Sequence, residues 1–197
     1  MTYRNKHPES QTFTEAFAQQ NELLTKAFAH HAIKQLDRNA WRCAAPSTSN
    51  MSFYVARMPG AWAIYGDIGD IFIQRSDTLD WLRGAANSAS YLWEKVPASL
   101  KVEEFYPGDA LARLDDRDMH SAEEAAKIYE RWIDESIFDG SLDSYSSYCE
   151  AVYDVTGDSE DIVSQRMGME SIRCVLAARW YCERMPVELP VPGWRKQ

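Results

Sequence analysis

Asp67 and Asp70 are the residues of this chain whose type and spacing first suggest chemistry. They lie in the stretch Gly66-Asp67-Ile68-Gly69-Asp70. Two carboxylates three residues apart on a tight loop could hold a divalent ion or work as an acid/base pair. The same residues are also ordinary turn chemistry, in which Asp bonds nearby backbone N–H groups. The stretch is not a phosphate cradle. No Lys-Ser or Lys-Thr follows it, and its glycine spacing is neither that of a P-loop nor that of a dinucleotide fingerprint.

Other chemistry-bearing clusters are weaker. Asp115, Asp116, Asp118 and His120 gather before a helix, where acidic residues complement the helix N-terminus as readily as they bind a metal. Asp154 to Asp161 resembles a calcium loop in composition but lacks the glycine at loop position six and the glutamate at position twelve. His30 and His31 are adjacent, so on a helix they point about 100° apart and do not share one ion. Cys43, Cys149, Cys174 and Cys182 form no CxxC pair and read as reduced, buried small hydrophobes. No Gly-x-Ser-x-Gly elbow is present. No catalytic residue is assigned beyond the candidates Asp67 and Asp70, and no metal or cofactor is expected.

Charge carries a second line of argument. The net charge is −9. Residues 103–161 hold 18 acidic and 4 basic residues, a net of −14, so the remainder is at +5. Such a chain does not attract nucleic acid as a whole, because neutralising phosphates takes Lys and Arg. An aromatic and basic sheet face around Trp62, Tyr65, Arg57 and Arg75 is a minor route to single strands by stacking. The acidic region suits a basic partner approached by long-range steering, or serves solubility alone. On the helix from Ser121 to Glu135, Glu123, Glu130 and Asp134 fall along one side with Lys127. They are expected to join Asp139, Asp143 and Glu150 in one continuous negative patch.

The elements that must position these residues follow from periodicity. Thr12 with Glu15 is a capping-box pattern, and the apolar stripe Phe13, Phe17, Leu24, Phe28, Ala32 and Leu36 predicts one helix from Thr12 to Asp37. A short strand is expected at Ala40 to Ala45. Ser52 to Met58, Ala61 to Tyr65 and Ile71 to Gln74 alternate as strands, joined by Pro59-Gly60 and by a looser turn around Asp67, which makes an antiparallel meander. Ser76 or Asp77 is expected to cap a helix that Gly84 ends, followed by a helix from Ala89 to Val96. Further helices are expected from Pro107 to Asp116, from the second capping box Ser121–Glu124, over Leu142 to Val155, over Ser159 to Gln165, and over Met169 to Arg184. The expected fold is α+β: a three- to four-stranded antiparallel sheet packed against helices, with a mostly helical C-terminal half. The domain plan is a polar tail over 1–11, one domain over 12–185 that turns acidic and helical from residue 97, and an extended tail over 186–197. No apolar run approaches the 18 residues a membrane span needs. The polar N-terminus carries no signal-peptide pattern.

One block of the sequence resembles a known setting. Phe53-Tyr54-Val55, the run from Pro59 to Asp70, Asp77-Thr78-Leu79-Asp80-Trp81-Leu82-Arg83-Gly84 and Tyr91 to Lys95 are similar to a block in uncharacterised proteins of bacteriophages and prophages. The resemblance covers roughly a quarter of the chain and implies a setting, the cytoplasm of a bacterial host, but no activity. Small acidic phage proteins as a class often bind and block host proteins, anti-CRISPR and anti-restriction factors among them. The leading expectation is therefore a non-enzymatic protein that binds a basic host protein. One alternative is a small metal-dependent hydrolase or nucleotide-handling enzyme using Asp67 and Asp70. The other is a structural, homo-oligomeric phage component.

Overall fold

The computed structural model describes residues 11–116, 120–139, 145–157 and 166–185, with the side chains of 134–139 excepted. The chain groups into two compact units. One comprises Ala18–Val102 and Met167–Gln197, the other Met1–Phe17 and Glu103–Arg166.

The first unit is built on a five-stranded antiparallel sheet in sequential order: β1 (Ala32–Asp37), β2 (Ala40–Ala44), β3 (Phe53–Met58), β4 (Ala61–Gly66) and β5 (Gly69–Gln74). The expected meander is present, with two further strands beside it. Alternation decides which face is buried. Trp41, Cys43, Phe53, Val55, Arg57, Trp62, Ile64, Ile71 and Ile73 all point to one side and are buried. That side meets helix α7 (Met169–Arg184), with α2 (Leu79–Ala86) and α3 (Ala89–Glu94) packed beside α7. Trp180 of α7 lies edge-on to Phe28 and Phe53, at ring distances of 5.5 and 5.8 Å. Tyr181 packs on Trp41 and Trp62 at 5.8 and 6.5 Å.

Several expectations need correction. Helix α1 covers Phe13–Ala27 and a single 3-10 turn follows to His30; the chain then enters β1 instead of continuing as helix to Asp37. The stripe residues Ala32 and Leu36 fit a helical period, but five residues pairing with β2 override that weak preference. The sheet consequently has five strands, not three or four. Thr78, not Ser76 or Asp77, caps α2 by accepting from Trp81 N–H, and α2 runs through Gly84 to Ala86. The turn around Asp67 is also tight. Gly66 pairs with Gly69, which leaves two residues between the strands.

In the second unit, Thr12 and Glu15 close the expected capping box at the start of α1, with bonds of 2.9 and 3.2 Å. Its other helices are α4 (Pro107–Leu114), α5 (Ala122–Asp139) and α6 (Tyr145–Thr156). Ser121 and Glu124 form the second capping box, at 2.9 and 3.2 Å. Leu111 and Leu114 of α4, Ile128 and Trp132 of α5, and Tyr148 and Val152 of α6 bury together as a small core. The expected helix over Ser159 to Gln165 falls outside the described residues, as do the expected C-terminal tail and all but Gln11 of the expected N-terminal one.

Candidate functional site

Asp67 and Asp70 take up separate tasks. The Asp67 carboxylate accepts from both the backbone N–H and the hydroxyl of Ser52, each at 3.1 Å, while Asp67 N–H donates to the Ser52 carbonyl at 2.9 Å. It fastens the β4–β5 turn to the start of β3. Asp70 stands opposite Tyr65 in the ladder, on the face away from α7, and is exposed. Among the described residues no group of three His, Cys, Asp or Glu side chains could hold a metal ion.

The remaining candidates are placed as follows where they are described. His31 Nε2 donates to the Met51 carbonyl at 3.1 Å, and its ring packs between Phe28 and Trp180; His30 is exposed. His120 is buried, Asp115 and Asp116 are exposed, and Asp118 lies outside the described residues. All four cysteines are free. Burial pushes the Cys43 and Cys182 thiols up to about 12, away from the thiolate that chemistry would need.

The acidic candidates divide likewise. Glu123 and Glu130 are exposed on α5, on the side opposite Ala125, Ile128 and Trp132. Glu123 pairs with Lys127 at 2.8 Å, and Arg131 pairs with Asp154 of α6 at 3.1 Å. The Lys127 ammonium holds the Glu123 carboxyl below its usual range. Glu150 is exposed on α6. Asp134 and Asp139 belong to α5 without described side chains, and Asp143 lies outside the described residues.

A feature absent from the sequence reading lies on the outer face of the sheet. Ladder register aligns Lys34, Arg42, Tyr54, Tyr65 and Asp70 as one row across all five strands. Tyr54 and Tyr65 stack at 5.3 Å with their rings 15° apart. Lys34 and Arg42 are a directly opposed like-charge pair, an arrangement that costs stability in a sheet. Neither makes an ion pair with any described residue. Both line an open cleft of about 430 Å³ with Ala32, Ala44 and the loop Ala45-Pro46-Ser47-Thr48-Ser49. The pair was hidden because Lys34 fell inside the expected helix. The signal was nonetheless present: in Trp41-Arg42-Cys43 an Arg alternates with two core residues, which puts it on the far face of a strand.

Fold and site together define an α+β protein with a one-sided antiparallel meander. No protein-family model matches this chain, and no curated protein or solved structure does either.

Proposed function

We propose that the protein is a non-catalytic binding protein that engages a basic protein surface through the outer face of α5. The observation carrying this reading is that Glu123 and Glu130 are exposed opposite a face closed on the core. Glu150 adds a further exposed carboxylate on α6. Lys127 offsets one charge and leaves Glu130 without an ion pair among the described residues. Carboxylates at helical spacing imitate a phosphate array, which fits a host protein that normally holds nucleic acid. The resemblance to phage proteins favours the same setting, an inhibitor of a host defence factor; that part is an argument from class. The enzyme alternative loses ground because the Asp67 carboxylate is committed to the Ser52 bonds.

The test compares wild type with the triple variant E123K/E130K/E150K as bait in host lysate, at low and high salt. Folding should be almost unchanged, since exposed charges contribute little to stability. A basic partner should be retained by wild type at low salt, released at high salt and not captured by the variant. Equal capture by both baits, with the same salt response, would overturn the reading.

A further inference from the structure

The Lys34–Arg42 cleft calls for a separate explanation. A like-charge pair placed face to face on adjacent strands works against the sheet that holds it. Local rules of this kind are broken at functional sites. Arg42 Nε is shut off from solvent and, like Trp62 Nε1 in the same sheet, has no hydrogen-bond partner among the described residues. The Thr48 hydroxyl oxygen accepts from Asn50 N–H at 3.0 Å, which leaves its own proton to donate. Ser47 and Ser49 line the same cleft, and their hydroxyls are in no hydrogen bond with a described residue.

We infer that this cleft binds a small phosphate-bearing molecule, with Lys34 and Arg42 holding the phosphate and the Ser47-Thr48-Ser49 loop donating to its remaining oxygens. The donor set decides the ligand class. A guanidinium fork, an ammonium and up to three hydroxyls offer more donors than the two oxygens of a carboxylate accommodate. A phosphate presents three terminal oxygens and a double charge. The terminal nitrogens of the Arg42 guanidinium match it bidentately. Lys adds a point charge. The volume of about 430 Å³ falls within the range of small-molecule sites, roughly 300–1,000 Å³. It therefore has room for more than the phosphate, over a floor formed by Ala32 and Ala44. Binding would also remove the repulsion between the two cations. The inference stands apart from α5 and does not depend on a basic protein partner.

The experiment uses the full chain with inorganic phosphate and phenyl phosphate as probes, against sodium chloride at matched ionic strength. Melting temperature and amide chemical shifts are followed. Both phosphates should raise the melting temperature of wild type in a saturable way, and the largest shifts should fall on residues 45–49 and on β1 and β2. Arg42→Gln and Lys34→Gln should each weaken phosphate binding tenfold or more. Both variants should melt at or above the unliganded wild type, because each relieves the like-charge contact; this separates lost binding from lost folding. Tighter binding of phenyl phosphate than of inorganic phosphate would assign the rest of the cleft to the organic part. Equal effects of chloride and phosphate, or equal phosphate responses in wild type and Arg42→Gln, would mean simple screening and would overturn the site. Shifts located elsewhere on the sheet would overturn it too.

Discussion

Arg57 gives three hydrogen bonds to a single residue, Asn39. Its backbone N–H reaches the Asn39 carbonyl at 2.8 Å, and its Nε and Nη2 reach the Asn39 side-chain oxygen at 3.2 and 3.0 Å. Arg57 is 7% exposed on the core face of β3, so this neutral amide in the β1–β2 turn solvates a buried guanidinium. Asn39→Ala should destabilise the fold by about 1–3 kcal/mol, the cost of leaving buried donors unsatisfied. Asn39→Asp keeps an acceptor and adds a counter-charge, so it should lose less. Urea unfolding of the two variants checks the order; an Ala variant as stable as wild type would remove the role assigned to this contact.

The turn glycines should rank by what a methyl group would strike. Gly60 has φ +71 and open space around its missing Cβ, so Gly60→Ala meets backbone strain alone, about 1 kcal/mol. At Gly66, φ is +143 and an added Cβ would sit 2.6 Å from the Ser52 carbonyl oxygen; at Gly69, φ is +108 and it would sit 2.7 Å from Glu170 Cβ. Both substitutions should cost clearly more than Gly60→Ala. Gly84 is the control: it is exposed and inside α2 with nothing within 4 Å, so Gly84→Ala should stabilise by roughly 0.5–1 kcal/mol. Thermal melts of the four variants give the ranking directly.

Trp180→Ala should cost roughly 3–5 kcal/mol. The side chain is 7% exposed and packs against Phe28, Phe53 and His31, with the Arg184 guanidinium 4.5 Å above its ring. A loss under about 1 kcal/mol in denaturant titration would show that α7 does not anchor the sheet through this residue.

How much of this was legible beforehand depended on which interactions decide each element. The hairpin at Pro59-Gly60 and the two capping boxes are local, and the structure shows them where their residues stand. α7 was readable to its end residues because Met169, Ile172, Leu176 and Trp180 repeat at helical spacing. β1 was not readable. Ala32 to Asp37 becomes a strand only because β2 offers it a ladder, a contact that periodicity does not carry. The Lys34–Arg42 cleft went with it, since cross-strand register brings together two residues eight apart in sequence. Asp67 was legible as turn chemistry, but its partner Ser52 was not, because that bond spans β3 and β4.

Alkaline pH should destabilise this protein through its buried thiols and a buried phenol. Burial raises the Cys43 and Cys182 thiols from an ordinary 9.0 to about 12, and raises the Tyr106 phenol from 10.0 to about 12. These groups stay protonated when folded and ionise earlier when unfolded, so the unfolded state binds fewer protons above pH 9. Stability is then full below pH 9 and falls towards pH 12, by up to about 1.4 kcal/mol per pH unit for each group. Denaturant midpoints at pH 8, 9.5 and 11 test this. Cys43→Ala and Cys182→Ala together should flatten the slope, and native-state alkylation at pH 8 should reach half-buried Cys149 well before the other three thiols.

The order in which the chain leaves the ribosome gives α7 a further significance. All five strands are synthesised by Gln74, yet the helix that covers their apolar side begins at Met169. At translation speeds of about 5–20 residues per second, that gap holds the sheet half-finished for on the order of 5–20 s. Throughout that interval Trp41, Phe53, Val55, Trp62 and Ile64 lack the cover of α7. A chain cut short before Met169 would therefore leave the apolar side of the sheet without α7 and be expected to aggregate.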